Sequence, residues 1–416
     1  MRVATCIPLC VLTMATSAVA AQELPPDVVA VTGAQLPHLF GVSTTEIVAL
    51  ASHGSNLAPT VFQIDQRYRA ADGNLRYVFE AGDDLPPAHR RDFGPDDLLL
   101  LSVPDAGERL AAPPAGYTEI EVVDPRNTSH GWLYVGRGAA QSLPPRVRYD
   151  ASTNRIAGAD YAIGFSRSGT AVIESLVLGD PEQDGNILDR NKARLDVDLA
   201  FGFGHVSRSE DDVRVRTTGL HVGPLRVIRE SEVRGRMLMG FYSPPLRDDF
   251  IFYAHGFVLP TTIRVTPGLR LLVRDVTLRI SMDLDDTAIG MTFQSDPEVP
   301  APITVDGSGG RRGGTRPIAW YLLRRSDVGL LGWLQARNDI TAEVTLYYRD
   351  DRSNGDPPER SAGELADHGF LFHHTGVLPA GDVHLVSHAW VLHGQALDNA
   401  PAEVRFFATS ATVRVH

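Results

Sequence analysis

The residues best suited to chemistry lie in two short stretches. In Asp180-Pro-Glu-Gln-Asp-Gly-Asn-Ile-Leu-Asp-Arg-Asn191, the acidic side chains Asp180, Glu182 and Asp184 fall at alternate positions ahead of a turn at Gly185. Calcium takes roughly six to eight hard oxygens, and short loops supply them in this alternating pattern. Asn186 and Asp189 stand where they could add to the set, whereas Asn191 occupies the place of the usual closing Glu. The other reading is a solvated turn between strands, held by Asx hydrogen bonds to its own backbone.

The second stretch is Phe250-Ile-Phe-Tyr-Ala-His255. Side chains two apart on a strand share a face, so Tyr253 and His255 are expected side by side. Such a pair can act as base and acid in β-elimination from an acidic sugar, with Arg226 or Arg229 gripping the sugar carboxylate through a forked contact. An aromatic strand with satisfied polar ends fits the same residues. Trp320, Trp390 and Tyr348 are candidate platforms for sugar rings, although aromatics in a sandwich more often fill its core. Six of the 14 histidines fall between residues 368 and 393. His384 and His388 share a strand face but stand about 13 Å apart, too far for one metal ion.

These groups sit on a chain that reads as strand almost throughout. Apolar and polar residues alternate in 195–203 and 276–284, and more briefly in 120–122, 213–215, 344–348, 404–408 and 413–415. That period of two buries one face of a sheet. Turn dipeptides such as Asp72-Gly73 and Asn354-Gly355 separate the runs. Helical signals are few: a capping-box pattern at Ser43–Glu46 and one or two turns over 361–368. No alternation of strand and amphipathic helix suggests a parallel sheet, and no fixed-period repeat suggests a propeller. The expected fold is all-β, with an N-terminal β-sandwich over 21–145 and a larger antiparallel two-sheet unit over 150–416. The small, proline-ended stretch 136–145 divides them.

The first 20 residues read as a Sec signal peptide, with Arg2, an apolar run and the small residues Ala18-Val19-Ala20. Both cysteines, Cys6 and Cys10, lie within it. A processed chain would carry no thiol, which excludes disulfides, Cys-ligated zinc, c-type haem and a cysteine nucleophile. No later run reaches the roughly 20 apolar residues of a transmembrane helix. A net charge of −12 disfavours nucleic acid. Gly-x-Ser-x-Gly, phosphate-loop and His-Glu-x-x-His motifs are absent, and no haem, nucleotide or flavin signature stands out.

The segment Gly223-Pro-Leu-Arg-Val-Ile-Arg-Glu230, together with the fold-style patterning of 150–416, resembles galactose-mutarotase-like super-sandwich proteins, a group that includes domains of polysaccharide lyases and glycosidases. Val61–Asp65 and Asp96–Ser102 resemble segments of uncharacterised secreted bacterial all-β proteins. The resemblance implies a two-sheet sandwich and carries no catalytic motif. The resulting expectation is a periplasmic or secreted protein that binds carbohydrate or a cell-envelope polymer, with calcium shaping a loop. Two alternatives remain open: a polysaccharide lyase or hydrolase, and an accessory subunit that docks a protein partner through a sheet edge.

Overall fold

The computed structural model describes residues 24–54, 56–71, 73–79, 92–139, 141–166, 173–199, 204–236, 242, 246–265, 273–337, 343–375 and 381–416. The expected signal peptide, with Cys6 and Cys10, lies outside them. All strand pairings within the described sheets are antiparallel. The one α-helix among the described residues is Ala400–Phe407.

The N-terminal unit pairs a three-stranded sheet with a five-stranded one. The first runs Val28–Thr32, Leu98–Ser102, Phe62–Asp65, and the second runs Thr412–Val415, Tyr117–Val123, His130–Arg137, Ile47–His53, Asn56–Pro59. The final strand of the chain therefore completes the N-terminal sheet rather than closing the large unit, whose expected span ran to 416.

In the large unit a nine-stranded sheet faces a six-stranded one. The nine-stranded order is Val213–Val222, Arg226–Gly235, Leu246–Tyr253, Gly256–Val265, Gly381–His393, Val328–Arg337, Trp320–Arg325, Thr292–Asp296, Val299–Thr304. The six-stranded order is His205–Arg208, Leu188–Leu199, Val273–Leu284, Glu364–Thr375, Glu343–Asp351, Gly310–Pro317.

Period-two alternation explains how the layers stack. In the nine-stranded sheet Val227, Phe250, Phe252, Tyr321, Leu323 and Val391 point into the core between the two sheets. Their neighbours Ile228, Ile251, Tyr253, Trp320, Leu322 and Trp390 point to the opposite face and form a second core. That outer face is covered by the N-terminal unit and by the helix. The apolar run Leu98–Leu101 is split the same way, with Leu98 and Leu100 facing the large sheet and Leu99 and Leu101 the N-terminal core. A run of four leucines without alternation is what a strand buried on both faces requires. Each such side chain contributes about 1.5–3 kcal/mol of burial, so the contact between the units is part of the folded core.

Two local expectations are corrected. Residues 404–407 are helical, because Ala400, Val404 and Phe407, at helical spacing, lay one apolar side against the second core. Residues from Glu364 onward are a strand rather than a helical turn, since Gly369, Phe370 and Phe372 pair with the strand Val273–Leu284.

Candidate functional site

The expected Tyr253–His255 pair is not formed. Tyr253 ends one strand and Gly256 begins the next, so Ala254 and His255 are the two residues of a tight hairpin. Pairing continues from Gly256 to Trp390, where a Cβ on Gly256 would approach Ala389 O to 2.4 Å. Tyr253 points into the second core, 2 % exposed, while the His255 side chain is 49 % exposed.

Arg226 and Arg229 are likewise turned inward. Arg226, 1 % exposed, donates from Nε to Asp65 Oδ2 at 2.8 Å and from Nη1 to Tyr253 Oη at 3.1 Å. Asp65 also accepts from Gln63 at 2.6 Å and meets His221 Nε2 at 2.8 Å. Gln63 Oε1 in turn accepts the backbone N–H groups of Leu225 and Arg226. A Cβ on Gly223 would stand 2.0 Å from the Gln63 side chain, so only glycine lets the two units meet this closely. Burial raises the Asp65 pKa, but the Arg226 charge and the His221 contact outweigh it and hold the carboxyl well below the usual range. This network fastens the N-terminal unit to the large sheet. Arg229 lies 3.8 Å from the centre of the Phe165 ring, donates to Thr217 Oγ1, and is lowered to about 10 by burial. Neither arginine is presented to a sugar carboxylate, and the expected elimination site is not assembled.

The three aromatic candidates are also interior. Tyr348 is 0 % exposed and stacks on Phe293 with ring centres 4.3 Å apart. Trp390 lies between Tyr253 and Phe407, with its ring stacked on Phe407 at 4.9 Å. Trp320 belongs to the same second core.

The acidic loop is a turn whose oxygens are largely committed. Asp180 accepts from Glu182 N and Gln183, Asp184 accepts from Asp180 N, and Arg325 stands 3.4 Å from Asp184. Asn186 bridges Leu176 N and Leu188, and buried Asp189 accepts the N–H groups of Arg360 and Ser361. The five expected ligands do not converge on one point: Asn186 and Asp189 tie strands together while Asp180 and Asp184 close the turn.

What the fold does bring together surrounds the His255 hairpin. His255 Nδ1 and His393 Nε2 both contact Asp160 Oδ2, at 3.2 and 3.1 Å. A cleft of about 310 Å³ adjoins them, walled by Pro26 and Asp27, by Val103 and Pro104, and by Trp390 and Phe407. Arg126 spans its edge, paired with Glu403 at 3.1 and 3.2 Å and lying over the Phe406 ring. Burial pushes the Asp27 carboxyl up against the pull of His255 and Arg146. A second depression shares His255 and is lined by Arg146, Arg148, Asp180 and Glu182. The sequence singled out His255, Trp390, Asp180 and Glu182 and counted His393 only as one of six C-terminal histidines, but missed Asp27 and Asp160. Asp27, Asp160 and His393 come from segments far apart in the chain and carry no shared motif.

A separate buried cluster lies on the outer face of the six-stranded sheet. The carboxylates of Asp356, Glu364 and Asp367 approach within 4.8 Å of one another, a set that could hold a metal ion.

No family model matches the chain, and no curated protein matches it. Solved structures do. An α-mannosidase from Enterococcus faecalis V583 aligns over 95 % of this chain and 45 % of its own, at 9 % identity and a TM-score of 0.51. A protein of glycosyl hydrolase family 38 from Enterococcus faecalis aligns over 95 % of this chain and 46 % of its own, at 9 % identity and TM-score 0.47. A putative aldose 1-epimerase from Escherichia coli K12 covers 57 % of this chain and 98 % of its own, at 8 % identity and TM-score 0.35. The chain thus spans less than half the length of the mannosidase it resembles. The likeness to the mannosidase is one of fold, in an all-β, sandwich-like architecture.

Proposed function

We propose that the protein binds a neutral carbohydrate polymer in the clefts that meet at His255. The observation that carries this reading is the convergence of two imidazoles on one carboxylate, Asp160, beside an apolar wall. Polar groups that accept and donate, set against apolar side chains, match the two faces of a pyranose ring. Two depressions joined at one residue suit a ligand longer than one sugar unit. The carboxylates Asp27, Asp180 and Glu182 are offset by Arg126, Arg146 and Arg148 in the same linings, so an uncharged sugar is favoured over a uronate. The fold supports the reading, since the aligned structure with the same architecture is named an α-mannosidase, a protein that acts on a sugar.

Export belongs to the same proposal, on the strength of the N-terminal 20 residues. Calcium is then the natural hard cation, at the roughly millimolar levels that extracellular modules are built to use. A catalytic version of the reading rests on Asp27, whose raised carboxyl is suited to donate a proton to a leaving oxygen.

Calorimetric titration against neutral, amine-bearing and uronate oligosaccharides tests both versions. Binding of the neutral set that weakens at least tenfold in Asp160→Asn and in His255→Ala is the expected result. Cleavage abolished by Asp27→Asn, with binding retained, selects the catalytic version. Equal binding by wild type and both cleft variants, or uronate preference, overturns the assignment.

A further inference from the structure

The densest charge cluster of the molecule lies away from the clefts. Lys192, on the strand Leu188–Leu199, is 0 % exposed and forms its close ion pair with Asp283 at 2.7 Å. Four more carboxylates surround its ammonium at longer range: Asp367 at 3.6 Å, Glu359 at 3.7 Å, and Asp356 and Glu364 at 4.0 Å. Against these five carboxylates stand four cations, Lys192, Arg194, Arg279 and Arg349.

Most of these acids have other partners. Asp356 pairs with Arg279, and Glu364 accepts from Tyr347 at 2.8 Å and from Asn354 at 3.1 Å. Asp367 does not. It is 0 % exposed, and neither of its carboxylate oxygens receives a hydrogen bond. A buried carboxylate left without donors is costly, and native proteins supply it with a partner, water or an ion.

The chain is bent to gather these groups. In a regular strand, residues three apart face opposite ways. Here the pairing with Glu343–Asp351 shifts register between Arg349 and Asp351, and Ala366 takes a positive φ of 41°. Glu364 and Asp367 thereby bring their carboxylates within 4.8 Å of each other and of Asp356.

We propose that Asp356, Glu364 and Asp367 bind one hard divalent cation. The donors are all carboxylate oxygen, with no sulfur and no imidazole in the set, which favours calcium, magnesium or manganese over zinc or copper. Lys192 stays beside Asp283 at 2.7 Å, and the ion adds positive charge where five carboxylates outnumber the four cations by one. It joins the strand Glu364–Thr375 to the segment carrying Asp356, and so acts as a structural clamp on this face of the sheet. The site is independent of the sugar cleft.

The test uses the full chain, stripped with chelator and desalted, then titrated with MnCl2, CaCl2 and MgCl2 separately. Manganese is read by paramagnetic resonance, and all three by thermal unfolding. One equivalent of Mn2+ should bind, displaced by Ca2+, with a melting temperature that climbs with ion concentration because the native state alone binds it. Asp367→Asn and Asp356→Asn should each weaken binding at least tenfold, and Asp180→Asn should leave it unchanged. Asp356 is the more exposed ligand, so its variant decides the matter if Asp367→Asn fails to fold. Absence of stoichiometric Mn2+ or Ca2+ binding, or binding that survives Asp356→Asn, or that is lost in Asp180→Asn, overturns the proposal.

Discussion

Removing the Asp65 carboxylate should loosen the contact between the two units. Asp65 is 1 % exposed and receives hydrogen bonds from Arg226 and Gln63, with His221 at 2.8 Å. Asp65→Ala leaves the Arg226 guanidinium buried without its anion, and breaking one partner of such a pair costs about 3–5 kcal/mol. Arg226→Met should cost a similar amount for the converse reason. The double variant Asp65→Leu/Arg226→Met should recover much of it, since an apolar pair of similar volume replaces a buried ion pair at little loss. Urea unfolding followed by tryptophan emission measures each, as Trp320, Trp333 and Trp390 all lie on the covered face. The pH dependence has a definite sign. The Asp65 pKa is lower in the folded chain than in the unfolded one. Its contribution is therefore complete above the unfolded value, about pH 4, and is lost as pH falls below it. Wild type should lose stability through that window more steeply than Asp65→Asn. A cost below about 1 kcal/mol for Asp65→Ala, with no coupling in the double-mutant cycle, would refute the view that this network holds the units together.

Two other substitutions probe neighbouring parts of the assembly. Arg229 is buried with no carboxylate paired to it among the described residues; Arg229→Met should change urea stability by less than about 1 kcal/mol or raise it, in contrast to Arg226→Met. Phe407→Ala removes the ring stacked on Trp390, and should cost about 2–4 kcal/mol in thermal unfolding while shifting tryptophan emission to the red as water reaches the cleft wall.

The functional consequence of the Asp65 network is positional. Asp27 and Val103 belong to the N-terminal unit, whereas His255, Asp160 and His393 belong to the large one. The first cleft exists only while the units stay docked, so Asp65→Ala should weaken the proposed carbohydrate binding together with stability.

Strand character was legible in the sequence because side-chain parity is a local property. The alternation at 276–284 marks a strand now seen as Val273–Leu284. Sheet pairing places Tyr253, Trp320 and Trp390 on one face of one sheet. Parity alone cannot say which strands adjoin or what covers that face. The covering helix and the N-terminal unit turned expected sugar platforms into core, and turned the expected arginine clamp into a fastening between units. Likewise, Asp180–Asp189 shows its acidic pattern openly, but Asp180 and Asp184 accept from N–H groups of their own turn, while Asp189 accepts from Arg360 and Ser361, more than 100 residues away in the chain. The sequence by itself determined the all-β class, the lack of usable thiols beyond residue 10 and the acidic charge, each a matter of composition or of period two. The site was decided only by tertiary structure. His255 and His393 meet Asp160 at 3.2 and 3.1 Å because sheet pairing brings distant segments together, unit docking sets Asp27 along the same cleft, and no local rule encodes that approach.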